Sequence, residues 1–507
     1  MKYIFTFFAA LLALHATASN KYHVRLDSLI NYTIEKKLFN GSVIVARNNK
    51  IIYKKDHGYK DATCAVKIDE GTAFYLASIS KSITATCILQ LIEKGTLSFE
   101  DKLNGFFPDF PDNEITIRDL LQHTSGIEDH ITEIYLPLWQ KQNIPDSLRK
   151  INSNDEAIRH MIKNYTGHHF KAGTKHEYLN TNYMLLASIV EKVSGKPFKN
   201  YLHKNIFTPC KMNNSYLYME DTIPNKAEGF KADYLEGKTR VNDLGILNGV
   251  YGDGGIYTSS LDLLNFTDRF FRGQIVSPAM VSEATTSRDL AYGPPYIYAG
   301  LSVLVLGFVC LLMAGSRSWM TAISAILLIG GTTCTWIGFN FKKNDNTQYG
   351  MGWSLTKHNR EDVAYHSGGW GGWRNILWHE KSGLTIILLT NNTICPYFDL
   401  TRNISNIMHD RPFEYPAIPV SAMNNEPGGP NPFEQREGSN FLKIPSLPSL
   451  IQPGRLKDLI FSESLGSMSR DRQTPHMLNN EACYAYRMEQ KLSWPKNTAK
   501  SRSLRTI

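Results

Sequence analysis

The sequence predicts an α+β fold in which one sheet is assembled from segments far apart in the chain. Two strand patterns near the N-terminal end, a buried-strand pattern close to residue 385 and a long helical region between them predict it. With 507 residues, 42% hydrophobic and 20% charged, the chain has room for two or three structural units and a substantial core.

The opening MKYIFTFFAALLALHATASN carries Lys2, an apolar run and small residues at Ala16, Thr17 and Ala18. This is the pattern of an export signal over 1–18; a membrane anchor is the alternative, for which the run is short. GSVIVARNNKIIYKKDHGY (41–59) reads as two strands around a polar Asn48–Asn49 turn. SISKSITATCILQLIEKG (78–95) has apolar residues at helical spacing and closes on Gly95. A second amphipathic helix, NTNYMLLASIVEKVSGKPF (180–198), ends with Lys192 before Gly195 and Pro197. GLTIILLTN (383–391) suits a buried strand, and DLTRNISNIMHD (399–410) a closing helix.

Two regions stand apart. Between Leu290 and Phe341 the only charged residue is Arg317, and its flanks, 298–315 and 320–341, are each about long enough to cross a bilayer, with Lys342 and Lys343 beyond. The expectation is an inserted membrane hairpin over 296–341 that associates with the membrane through 298–341 and returns the chain to its starting side. A buried helical hairpin or an artefact of the gene model is the alternative. From 411 to 507 the chain is rich in Pro, Ser and Asn, has little periodicity, and carries 13 Lys and Arg against 9 Asp and Glu; it reads as a low-order tail.

Composition excludes several functions. Seven scattered cysteines, without a C-x-x-C pair, make neither a disulfide framework nor a redox centre. There is no H-E-x-x-H and no histidine set at ligand spacing, so neither metal nor cofactor is expected. The net charge of +8 comes without a dense basic run, and nucleic acid is not an expected partner.

The stretch YLASISKS (75–82) places Lys81 among Ser78, Ser80 and Ser82. A serine hydroxyl needs an adjacent base, and a neutral lysine can serve as one. On a helix, residues three apart share a face, so Lys81 meets Ser78 and not its immediate neighbours. The S-x-x-K spacing also occurs at Ser147/Lys150, Ser354/Lys357 and Ser493/Lys496, so alone it says little; Ser78 differs in beginning a long amphipathic helix, where a simple cap is the other reading.

Its companions are Tyr178-x-Asn180, just before the second helix, and His366-Ser367-Gly368, at the start of a strand pair. With GTAFYLASISKSITA (71–85), ITIRDLLQHTSGI (115–127), YGDGGIYTSSLDLLNF (251–266) and YGMGW (349–353), the sequence resembles the serine β-lactamase and penicillin-binding-protein superfamily, in particular its class C-like group. The likeness spans 24–295 and 345–410. It implies a β-lactamase/transpeptidase-like fold, an antiparallel sheet flanked by helices with a helical subdomain, here interrupted by the hydrophobic hairpin.

The resemblance further implies Ser78 as the acylated nucleophile, Lys81 as its base or proton relay, and Tyr178 as a relay to the leaving group and the deacylating water. Asn180 would orient the substrate or Lys81, His366 would line the opposite wall, and the N–H groups of Ser78 and Gly369 would form the oxyanion hole, with Gly368 beside it. In isolation Tyr178 reads equally as a core tyrosine, Asn180 as a helix cap and the glycines of GGWGG as a turn. Many relatives carry Lys-Thr-Gly where this chain has His366, whose charge near neutral pH is weak. The expected partner is therefore a small ester, peptide or cell-wall fragment, handled by an exported esterase or D-amino-acid peptidase. A class C-like β-lactamase, a D-Ala-D-Ala carboxypeptidase and a non-catalytic peptidoglycan receptor are the alternatives.

Overall fold

The computed structural model describes residues 21–61, 64–135, 151–219, 222–233, 237–240, 249–288, short pieces between 301 and 332, and 348–417. The described residues all belong to one unit, Met1–Ala417. The export signal expected over 1–18 and the tail beyond 417 lie outside the described residues.

Helix α1 (21–35) precedes β1 (Gly41–Arg47) and β2 (Lys50–His57). Their turn is Asn48–Asn49, with φ of 49° and 65°. That is the left-handed pair a two-residue hairpin needs and asparagine tolerates. Strand β3 (Phe74–Tyr75) and a 3-10 turn, Ala77–Ile79, lead into α2 (Ser80–Glu93), so this helix starts two residues later than its periodicity predicts. Ser78 and Ile79 instead belong to the 3-10 turn, which the chain enters at Ala77 with φ 49°.

Helices α3 (Ile117–Leu121), α4 (Asn154–Asn164), α5 (Asn180–Ser194) and α6 (Phe198–Leu202) follow. Gly195, at φ 64°, ends α5 as its position predicts. Next come β4 (Tyr216–Leu217), β5 (Phe230–Asp233), β6 (Gly237–Arg240), β7 (Ile256–Thr258), α7 (Ser260–Phe271) and α8 (Pro278–Ala284). Beyond the insertion, β8 (Ser354–His358), β9 (Glu361–Trp370), β10 (Trp373–Glu380), β11 (Leu384–Thr390) and α9 (Tyr397–Met408) complete the described chain.

The main sheet has the order β2-β1-β11-β10-β9-β8, with every neighbouring pair antiparallel. Gly41 lies opposite Thr390 and Arg47 opposite Leu384, so segments from the two ends of this unit share one sheet. Strand β11 is covered on both faces. Ile387 and Leu389 join the large core containing Ile83 and Ile88 of α2 and Leu185 and Ile189 of α5. Leu384, Ile386 and Leu388 pack in a second core with Leu26 and Ile30 of α1 and Leu400, Ile404 and Ile407 of α9. Two-sided burial is why this strand reads as a continuous apolar run, and each such side chain contributes about 1.5–3 kcal/mol.

Of the hairpin expected over 296–341, helical residues are described at 301–306 and 308–310, with Leu301, Val305, Leu306, Phe308 and Val309 exposed. Among the described residues no helix is long and apolar enough to cross a membrane. A crossing takes about 20 helical residues, so the expected spans and membrane association find no support here. The rest of that segment lies outside the described residues.

Candidate active site

The nucleophile turn is held from three sides. Leu76 N–H donates to the Ile256 carbonyl at 2.8 Å, and the Asn375 amide donates to the Tyr75 carbonyl at 2.8 Å. Gly368 of β9 lies against it from the third: a Cβ there would overlap the Leu76 carbonyl oxygen. So fixed, the chain accepts the left-handed Ala77, a strain of about 1–3 kcal/mol. The consequence is a sorting of serines. Ser80 and Ser82 are fully buried, whereas Ser78 retains exposure.

Lys81 is also fully buried. Its Nζ lies 2.8 Å from Asn180 Oδ1, 2.7 Å from the Asp253 carbonyl oxygen and 3.2 Å from Ser78 Oγ. The first two partners can only accept, so they take two N–H groups. Toward Ser78 the amine can present a lone pair when neutral and an N–H when charged. The Asp253 carbonyl reaches Lys81 because its loop lies close on α2: Thr84 Oγ1 donates to the Gly252 carbonyl at 2.8 Å. Gly252, at φ 106°, packs directly on Tyr183 and Ala187 of α5, space a Cβ would fill.

Tyr178 and Asn180 enter from the segment before α5. The Tyr178 ring centroid is 4.9 Å from Lys81 Nζ, and the ring is largely buried. Asn180 is the first residue of α5; its N–H and its side-chain Nδ2 both point at Asp129 Oδ2, at 2.6 and 3.3 Å. His123 supports the same segment. Its Nδ1 accepts from Leu179 N–H at 3.1 Å, and its ring lies 4.4 Å from Tyr178 and 4.7 Å from Tyr349. Burial, followed by the charges of His176, Lys81 and His366, holds the His123 imidazole well below its ordinary 6.5. It is thus a neutral ring, with the proton on Nε2.

His366 joins this cluster, with its ring 6.1 Å from Tyr178, but the side chain is fully buried. Its Nδ1 donates to the Ser367 carbonyl at 2.7 Å, and Tyr349 Oη stands 3.0 Å from Nε2. Gly369, half-buried beside it on β9, pairs with Arg374 of β10. All seven residues expected at the site therefore lie on the elements that meet around Ser78: the 3-10 turn and α2, the entry to α5, and β9. The stretches HTSG, YGDGG and YGMGW carry His123, Asp253 and Tyr349, whose contacts no spacing rule reveals. Asp129, just past the first of them, has no sequence signal at all.

Known proteins share this arrangement of chain. A sequence model described as Beta-lactamase matches residues 26–316, more than half of the length. The chain belongs to the β-lactamase family. It is a serine hydrolase of that family, with the β-lactamase/transpeptidase-like fold. Penicillin-binding protein 4* of Bacillus subtilis (strain 168) is 26% identical over 413 residues, covering 78% of both chains. Teichoic acid D-alanine hydrolase of Staphylococcus aureus (strain MRSA252) is 27% identical over 256 residues, half of this chain, which spans 59% of that relative's length. The solved D-amino acid amidase from Ochrobactrum anthropi SV3, complexed with D-phenylalanine, superposes with a TM-score of 0.55 over 77% of this chain and 98% of its own. At 18% identity that likeness is one of fold.

Proposed function

We propose that this hydrolase works through an acyl-enzyme on Ser78 and acts on an ester or amide of the D-amino-acid or cell-wall-peptide type. The observation that carries the reading is the arrangement of Lys81, whose Nζ lies on two carbonyl acceptors and also 3.2 Å from Oγ of Ser78, the serine of this turn that retains exposure. Neutral Lys81 accepts the hydroxyl proton as Ser78 Oγ bonds to the substrate's carbonyl carbon. The N–H groups of Ser78 and Gly369 stabilise the resulting oxyanion. As the carbonyl re-forms, the leaving group departs with a proton relayed through Tyr178; a water then attacks the acyl carbon, gives its proton to the same relay, and releases Ser78. Asn180 orients Lys81.

Burial of His366 supports the choice of substrate. With both ring nitrogens engaged, it offers no exposed cation to a substrate carboxylate on that wall. This favours neutral esters and amides over β-lactams. The names of the teichoic acid D-alanine hydrolase and the D-amino acid amidase agree with a D-amino-acyl substrate. We take 1–18 as an export signal that brings the protein to such material, and 24–295 with 345–410 as its catalytic domain.

A fluorophosphonate probe tests the proposal. Wild type is expected to label covalently and Ser78→Ala not at all. An unlabelled wild type sinks the acyl-enzyme reading and favours a peptidoglycan-binding receptor. Rapid turnover of nitrocefin would overturn the substrate assignment and favour a β-lactamase.

A further inference from the structure

We infer that Asp129 is a positioning residue of this site, setting through Asn180 which way Lys81 directs its lone pair; the inference rests on the acyl-enzyme reading. Asp129 is 1% exposed and lies at the start of the turn that follows the HTSG stretch. Its two oxygens face different ways. Oδ1 accepts from Ile131 N–H at 3.1 Å and Thr132 N–H at 3.0 Å, which anchors the carboxylate in its own turn. Oδ2 accepts from Asn180 N–H at 2.6 Å and from Asn180 Nδ2 at 3.3 Å.

An amide side chain presents a donor at one end and an acceptor at the other, and nothing in its shape distinguishes them. A carboxylate oxygen can only accept, so Asp129 Oδ2 requires Asn180 to turn Nδ2 toward it. Oδ1 is thereby left facing Lys81 Nζ, 2.8 Å away. If the amide were reversed, its NH₂ would compete for the Lys81 lone pair that Ser78 needs. The order of contacts, Asp129 to Asn180 to Lys81 to Ser78, therefore passes one constraint from a buried charge to the nucleophile without Asp129 touching the substrate.

Exchanging the two side chains tests this. In Asp129→Asn the new amide keeps its oxygen on Ile131 and Thr132 and sets an NH₂ against the donors of Asn180. That drives Asn180 to reverse, and fluorophosphonate labelling is expected to slow about 100-fold. In Asn180→Asp two carboxylates face each other, which is also expected to slow labelling strongly. The double variant D129N/N180D again opposes a donor to an acceptor between the two side chains, though the N–H of residue 180 loses its acceptor, and it presents a carboxylate oxygen to Lys81. It is expected to label at least about tenfold faster than N180D alone, with the acid limb of its pH profile moved upward because a directly bonded carboxylate favours the ammonium.

Because that comparison is between N180D and the double variant, it holds even where D129N does not fold. A double variant no faster than N180D, with an unmoved pH profile, reduces Asp129 to a helix-capping group and overturns the inference while wild type still labels. D129N labelling as fast as wild type overturns it equally. A wild type that fails to label removes the acyl-enzyme reading and this inference together.

Discussion

Lys81 has three serine hydroxyls within one residue or one turn of it, and burial with hydrogen bonding separates them. Ser80 Oγ accepts from Ile256 N–H at 3.3 Å and Ser82 Oγ donates to the Gly352 carbonyl at 2.6 Å, so each belongs to the packing of α2. Only Ser78 combines exposure with the Lys81 contact. Ser80→Ala is accordingly expected to lose about 0.5–1.5 kcal/mol of stability in denaturant unfolding while labelling within about twofold of wild type. Lys81→Ala and Tyr178→Phe should each slow labelling by about 100-fold, measured as the rate of covalent probe incorporation. Equal loss from Ser80→Ala and Ser78→Ala would mean the wrong hydroxyl has been assigned.

Elements decide how tightly these side chains are held. Strand β9 approaches the nucleophile turn so closely that Gly368 has no room for a methyl group against the Leu76 carbonyl. Gly368→Ala should therefore cost about 1–3 kcal/mol by overpacking, seen as a lower Tm, and should slow labelling because the strain at Ala77 is no longer held in place. A variant with unchanged Tm and labelling rate would show that the strand yields without disturbing the turn. Element ends are readable where single residues punctuate them: Gly195 stops α5, and the asparagine pair turns β1 into β2. The start of α2 lies two residues beyond the one its spacing predicts, since apolar spacing extends through Ser78 although the backbone there is a 3-10 turn.

Across the whole unit, buried imidazoles work against stability in acid. Burial pushes His379 down to about 3, and burial is also the leading cause that lowers His123, His130 and His358. Unfolded, each returns toward 6.5 and binds a proton that the folded state refuses. Their stabilising contribution is thus complete above about pH 6.5 and is lost as pH falls toward the folded values, at up to about 1.4 kcal/mol per pH unit for each group. His169, raised by Glu177 and Glu133 despite the opposing effect of burial, and the carboxyls of Glu133, Glu191 and Asp262, raised by burial against the hydrogen bonds they accept, act in the other direction, but in each of these the opposing cause limits the shift. Tm is therefore expected to fall between pH 6.5 and 4, and His379→Gln to flatten that slope; a Tm that is level or rising toward acid would contradict the balance.

The amino-acid sequence by itself determined the hairpin of β1 and β2, helices α2 and α5, strand β11 and the closing helix α9, and the pairing of Ser78 with Lys81. Each depends on neighbours a few residues apart, where helical and strand periods act directly on spacing. Tertiary structure alone decided that Asn180, 99 residues away, and the Asp253 carbonyl hold Lys81. It also decided that Asp129 orients Asn180 and that His366 is walled in behind Tyr349. Those contacts join segments that no local period relates. They exist because β1 and β11 close one sheet from opposite ends of the unit, and because α5 packs on α2 in the core beneath it.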